Sequence, residues 1–291
     1  MRILSVGEIL WDVFEDREHL GGAPLNLAFH LARLGHEVAM LTAVGEDRRG
    51  RLALELAAKA GVDTRFIQLA PLAPTGVARV AVDRDGQAVF HLERPAAYDF
   101  TVLTPGAAAA IADWNPDWIC YGTLFHTLPN ALDSTKHLFA ACPGAGRFYD
   151  VNLRPGQYSA GLVKYLASLA HILKLSQEEA PEVARLLDES YSGREAFVRR
   201  LASRFDYKAV CLTRGEDGCA VMWRGDYGEY ASRPVTVADT VGAGDAFAAA
   251  FLHGWISGWM ARETGEFANR VGGLVASRAG ATPDWSPAEL L

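Results

Sequence analysis

Apolar and polar positions follow two periods along the chain. Short, mostly apolar runs at 3–6, 38–43, 118–121, 147–151, 172–175 and 209–213 have the length of buried strands. Between them, 25–34 carries Leu27, Leu31 and Leu34 on one face at helical spacing, with Gly35 as its stop. Helices are also predicted over 48–60, ending at Gly61, and over about 130–141. This alternation predicts an α/β fold: a mostly parallel central sheet with helices on both faces. The longest apolar tract, 246–260, reads as a buried helix. It is interrupted by His253, Gly254, Ser257 and Gly258 and is too short to span a bilayer, so no membrane partner is expected. Two stretches break the alternation, 10–20 and 75–94, and the second reads as two strands around Asp85-Gly86, a strong hairpin signal. They predict a small β-sheet, built from about 10–20 and 75–95, projecting from one domain that takes in residues 1–291.

Composition narrows the classes. Half of the 291 residues are apolar, enough for a full core. The net charge is −7 and no basic block tracks a nucleic acid, so none is expected as a partner. Cys120, Cys142, Cys211 and Cys219 form no Cys-x-x-Cys pair, and Cys120 and Cys211 sit in strand-like runs as core thiols. The histidines, at 19, 30, 36, 91, 126, 137, 171 and 253, show no ligand spacing. The first residues read as a strand and not as a signal peptide, and the expected setting is cytoplasmic.

The candidate chemistry lies in two loops. In Asp239-Thr240-Val241-Gly242-Ala243-Gly244-Asp245 a glycine turn opens the apolar helix. Free N–H groups of Gly242, Ala243 and Gly244 at a helix N-terminus favour an anion. A carboxylate beside an anion makes sense if Asp245 takes a proton from a hydroxyl that attacks it, the layout of phosphoryl transfer to an alcohol. Asp245 as a helix cap alone would also account for the pattern. The second loop, Gly21-Gly22-Ala23-Pro24-Leu25-Asn26, opens another helix, with Pro24 in its first turn and glycines that allow close approach.

These two elements, Gly21 through Gly45 and Asp239 through the helix behind it, resemble the paired signatures of the ribokinase-like, or phosphofructokinase-B, carbohydrate kinases, and within them the fructokinases. The resemblance spans nearly the whole chain. It implies a ribokinase-like fold in which the small sheet is a lid over the sugar, and ATP with Mg²⁺ as cofactors. Catalysis then falls to Asp245 with Gly242, Ala243 and Gly244, and the sugar to Asp12, Gly21, Gly22 and Asn26. The segment Asp150-Val151-Asn152-Leu153-Arg154 resembles fructokinases and 2-keto-3-deoxygluconate kinases, and Gly122-Thr123-Leu124 resembles a fructokinase pocket segment. Asn152, Arg154 and Thr123 join the substrate set on that basis, and Trp11 is a further candidate contact. Lys174, Thr213, Gly215, Gly218, Asn269 and Gly280 match nucleotide-binding positions. Glu179 matches a glutamate that acts on magnesium through water, although Ser176 stands where the family has Asn. Asp239 matches a monovalent-cation site, for K⁺, in some members. Lid edges pair two subunits in several members; a monomer is equally consistent with the chain.

The expected function is ATP-dependent phosphorylation of a sugar hydroxyl, with fructose to fructose 6-phosphate in the lead. A 2-keto-3-deoxy sugar acid would need a cation near its carboxylate, Arg94 or Arg154; ribose or a nucleoside is the remaining acceptor. A nicotinamide-dependent oxidoreductase would need Gly-x-Gly-x-x-Gly after the first strand, where the chain has Gly7-Glu8-Ile9-Leu10-Trp11-Asp12. A non-catalytic sugar or nucleotide sensor would have no need of Asp245.

Overall fold

The structure, a computed structural model of the chain, describes residues 1–82 and 88–290. In chain order the strands are β1 (Arg2–Val6), β2 (Leu10–Val13), β3 (Glu18–Gly21), β4 (Glu37–Gly45), β5 (Val62–Asp63), β6 (Ile67–Ala70), β7 (Gly76–Val82), β8 (Ala88–Glu93), β9 (Trp118–Gly122), β10 (Gly146–Asp150), β11 (Ile172–Ser176), β12 (Ala209–Thr213), β13 (Cys219–Trp223) and β14 (Asp226–Tyr230). The helices are α1 (Ala23–Arg33), α2 (Arg48–Lys59), α3 (Pro105–Trp114), α4 (Pro129–Ala141), α5 (Ala160–Leu169), α6 (Ala180–Leu186), α7 (Arg194–Phe205), α8 (Ala243–Ile256) and α9 (Ala261–Ala276).

The main sheet runs β14-β13-β12-β11-β10-β9-β1-β4-β5, with β6 also on β4. From β12 through β4 every pair is parallel. Alternate side chains of a strand point to opposite faces, and each face carries its own core. Leu4, Tyr121 and Tyr149 pack under one layer with residues of α3, α4, α5, α6 and α7. Ile3, Cys120 and Phe148 pack under the other with residues of α1, α2, α8 and α9. The four cysteines are buried and free.

Three departures from the sequence reading have local causes. The apolar helix starts earlier and stops sooner than 246–260: α8 spans Ala243–Ile256, and Gly258, at φ +73°, turns the chain into α9. The edge strands β13 and β14 are antiparallel, because a short turn at 214–218 cannot make a parallel crossover. A second, four-stranded sheet, ordered β3-β2-β7-β8, joins the two stretches that broke the alternation, with β2 and β7 parallel. The Asp85-Gly86 turn between β7 and β8 lies outside the described residues. Among the described residues, no helix is long and apolar enough to cross a membrane.

Candidate active site

Parallel strands deliver their next residues to one edge of the sheet, where ligands collect in open α/β folds. Here β1, β10 and β11 deliver Glu8, Asn152, Arg154 and Lys174 to a cleft of about 290 Å³. The N-terminal turns of α1 and α8 supply Gly22, Asn26, Gly242, Gly244 and Asp245 to the same cleft. The small sheet covers it with Leu10, Asp12, Ala78 and Leu92.

The loop before α8 is held in one shape by its backbone. Gly242 has φ +78°, and a Cβ there would lie 2.5 Å from Ala281. Asp239 fastens the loop on both sides: one carboxylate oxygen accepts from the Val241 N–H at 3.0 Å, the other from the Gly280 N–H at 3.0 Å. The first N–H groups of α8 are thus presented to the cleft with the positive end of the helix dipole. Asp245 stands one turn inside. Its Oδ2 accepts from Nδ2 of Asn26 at 2.8 Å, which joins the two helix N-termini across the cleft. Burial raises the Asp245 carboxyl above the usual range, opposed by the Asn26 bond and by the Lys174 and Arg154 charges. Oδ1 of Asn26 is buried with no partner among the described residues.

Beneath the loop lies a buried ion pair. Nζ of Lys174 donates to both carboxylate oxygens of Asp150 at 3.0 Å. A methyl on Gly244 would sit 3.6 Å from that Nζ, so the ammonium lies directly under the anion loop. Burial disfavours the Lys174 charge, but Asp150, Glu179 and Asp245 outweigh it and raise its pKa. After Asp150 the chain does not stay extended. Asn152 turns at φ +40°, and Arg154 folds back to donate to Oδ1 of Asn152 at 2.8 Å. Asn152 and Arg154 therefore share the cleft through a left-handed turn. The Arg154 charge acts on three carboxyls at once, those of Glu8, Asp12 and Asp245. Burial pushes Asp12 up to about 6.

Gly21 backs Asp12, since a Cβ on it would meet Oδ2 of Asp12 at 2.6 Å. Ala243 is the first residue of α8. Other predicted residues stand outside the cleft. The Thr123 hydroxyl is engaged inside the sheet with the Tyr149 hydroxyl, at 2.7 Å, and the Val151 carbonyl. Trp11 alternates away from Asp12 along β2 and donates its Nε1–H to the Arg49 carbonyl at 3.2 Å. Glu179 ties two chain segments, accepting from the Leu153 N–H at 2.5 Å and the Ser176 N–H at 2.8 Å. The Ser176 hydroxyl returns the bond from the Glu179 N–H at 3.2 Å. Thr213 bonds the Leu175 carbonyl at 3.5 Å. Gly215 begins the turn between β12 and β13, and Gly218, at φ +97°, ends it against the Tyr230 carbonyl. Asn269 donates to that same carbonyl at 2.9 Å. Gly280 belongs to the Asp239 clamp.

Sequence reasoning passed over Glu8 and the pairing of Lys174 with Asp150. The signal for Glu8 was present: an acidic residue directly after a buried strand and its glycine. The Lys174 pairing depends on which strands are neighbours, which the chain does not spell out.

The cleft thus holds a helix N-terminus, a buried carboxylate in its first turn and a lysine beneath, an arrangement whose chemistry suits an anion. Residues 4–288 match the pfkB family carbohydrate kinase, and the chain belongs to that family: it is a carbohydrate kinase. It is 30% identical over 270 residues to a fructokinase from Klebsiella pneumoniae, covering 87% of this chain and 84% of the relative. It is 27% identical over 299 residues to an ATP-dependent ribose-1-phosphate kinase from Halopiger xanaduensis, covering 97% and 94%. Among solved structures it is similar to the fructokinase from Xylella fastidiosa with bound ATP, at a TM-score of 0.85 and 27% identity over 97% of this chain and 94% of that one.

Proposed function

We propose that this kinase transfers the γ-phosphoryl group of ATP to a hydroxyl of a neutral sugar, with fructose as acceptor and fructose 6-phosphate as product. The observation that carries the reading is the Asn26–Asp245 bond across the mouth of the anion loop. It holds one carboxylate oxygen and leaves the other to the acceptor. Asp245 takes the hydroxyl proton as the hydroxyl oxygen bonds to the γ-phosphorus and the bond to the β-phosphate oxygen breaks, releasing ADP. The raised pKa of Asp245 makes it a better base than an exposed carboxylate. The N–H groups of Gly242, Ala243 and Gly244 and the Lys174 ammonium stabilise the charge on the transferred group.

Among the described residues no group of three His, Cys, Asp or Glu could hold a metal ion. Mg²⁺ bound with ATP would keep several waters and would supply charge stabilisation for the transferred phosphoryl group. Glu179, with both oxygens already on backbone N–H groups, would act on the ion through water. Asp239 keeps a second lone pair on each oxygen, and K⁺ beside the anion loop is expected to raise the rate over Na⁺. The four-stranded sheet acts as the lid that keeps water from the phosphoryl donor.

A sugar-acid acceptor is disfavoured by charge. Arg94 already spends four of its five N–H donors on Asp99, Thr127 and Gln157. Arg154 already acts on Glu8, Asp12 and Asp245, with help from Arg94 at Glu8 and Lys174 at Asp245, and a substrate carboxylate would add a further negative charge. A coupled ADP-release assay over fructose, ribose, glucose and 2-keto-3-deoxygluconate tests this. Fructose should give the highest kcat/KM; turnover confined to the sugar acid contradicts the proposal.

A further inference from the structure

Glu8 is 5% exposed, yet no residue other than itself bonds its carboxyl among the described residues; the one hydrogen bond acting on it comes from its own backbone N–H. A buried carboxyl held by its own backbone N–H alone is costly and needs an explanation. It lines the cleft and also a water-sized cavity of about 20 Å³ behind it. Most polar neighbours in that cavity are already engaged, and Asn152, which also lines it, is bonded through Oδ1 to Arg154. The Ser5 hydroxyl donates to the Pro24 carbonyl at 2.7 Å, Thr123 is bound to Tyr149 and Val151, and Asp150 is paired with Lys174. The carboxyl of Glu8 is therefore left to the cleft. Its backbone is fixed as well: a Cβ on Gly22 would lie 2.4 Å from the Glu8 carbonyl oxygen.

We propose that Glu8 is a specificity-determining residue that hydrogen-bonds a hydroxyl of the neutral sugar acceptor. This rests on the sugar-kinase reading above and adds a residue to it. The groups facing Glu8 are Arg154 on the loop after β10, Arg94 at the end of β8 and Asp245 on α8; Asp12 on β2, Asp150 on β10 and Lys174 on β11 border the same two cavities. Burial outweighs the two arginines and places the Glu8 pKa at about 7. Below that pH the carboxyl both donates and accepts, matching a sugar hydroxyl that does the same. Above it the carboxylate only accepts and crowds Asp245.

The test is the KM for fructose, the KM for ATP and kcat for the wild type, Glu8→Gln and Glu8→Ala, measured from about pH 6 to about pH 8.5. Glutamine donates and accepts at every pH. Wild-type KM for fructose should rise at the alkaline end while that of Glu8→Gln stays flat. Glu8→Ala should raise it about tenfold, with kcat within about threefold and the KM for ATP unchanged. A fructose KM for Glu8→Ala within about twofold of wild type, or an equal loss in the ATP KM, overturns the proposal. If Glu8→Ala does not fold, the isosteric Glu8→Gln decides: a fructose KM that still follows the wild-type pH curve overturns it. A wild type that phosphorylates no neutral sugar marks failure of the underlying reading instead.

Discussion

Lys174 and Asp150 form a pair whose value depends on both members being present. With side chains 8% and 11% exposed, neither charge can turn to water if the other is removed. Lys174→Met should therefore cost about 3–5 kcal/mol of stability, and the double change with Asp150→Leu should recover most of it. Urea unfolding of the three proteins checks this. Glu8 carries a pH signature of its own. Its folded pKa is raised from 4.5 to about 7, so its favourable contribution is complete below 4.5 and is lost as pH rises through 7. Glu8→Gln should gain stability relative to wild type across that window, by up to about 3 kcal/mol at alkaline pH. Melting curves of the two proteins at several pH values read the difference, and a constant offset would contradict it.

The loop before α8 is an element whose position at a helix N-terminus was legible in the sequence and whose support was not. Gly242, Gly244 and Asp245 announce a helix N-terminus with a carboxylate because glycine and aspartate have few other reasons to stand together there. What holds the loop comes from the far end of the chain. His30 on α1 is buried and bonds the Ala281 carbonyl at 3.0 Å through Nε2, while its Nδ1 accepts from Nε1 of Trp285 at 3.1 Å. The indole can only donate, so the proton of His30 sits on Nε2. Burial lowers its pKa to about 4, so the ring stays neutral. Ala281 in turn walls Gly242. No local pattern marks these contacts, because each joins residues about 250 positions apart. Gly242→Ala, with a positive φ and no room for a methyl, should lose about 1–3 kcal/mol and most of the activity. Trp285→Phe leaves Nδ1 of His30 without its donor and should cost about 1–3 kcal/mol, with a smaller loss of kcat. Thermal melts alongside the ADP-release assay separate the two outcomes.

At the scale of the molecule, strand and helix order could be read from the chain because buried parallel strands are nearly all apolar and alternate with amphipathic helices. The antiparallel edge, β13 and β14, could not, since Cys219–Trp223 is as apolar as the parallel strands and only its short connection reverses it. The small sheet was legible as a break in the pattern, but its order was not: β2 and β7 pair in parallel across more than 60 residues of sequence. If that sheet is a lid, fructose with a non-hydrolysable ATP analogue should slow hydrogen exchange of the β2 and β7 amides, and unchanged exchange would contradict it. Sheet edge, helix N-termini and small sheet converge on Asp245, and the account depends on that carboxylate taking the proton. The most direct measurement is single-turnover transfer from ATP to fructose by wild type and Asp245→Asn, with ATP binding measured in parallel. The account predicts fructose 6-phosphate from the wild type, a rate lower by at least about 100-fold in the variant, and ATP affinity unchanged; transfer by Asp245→Asn at the wild-type rate would contradict it.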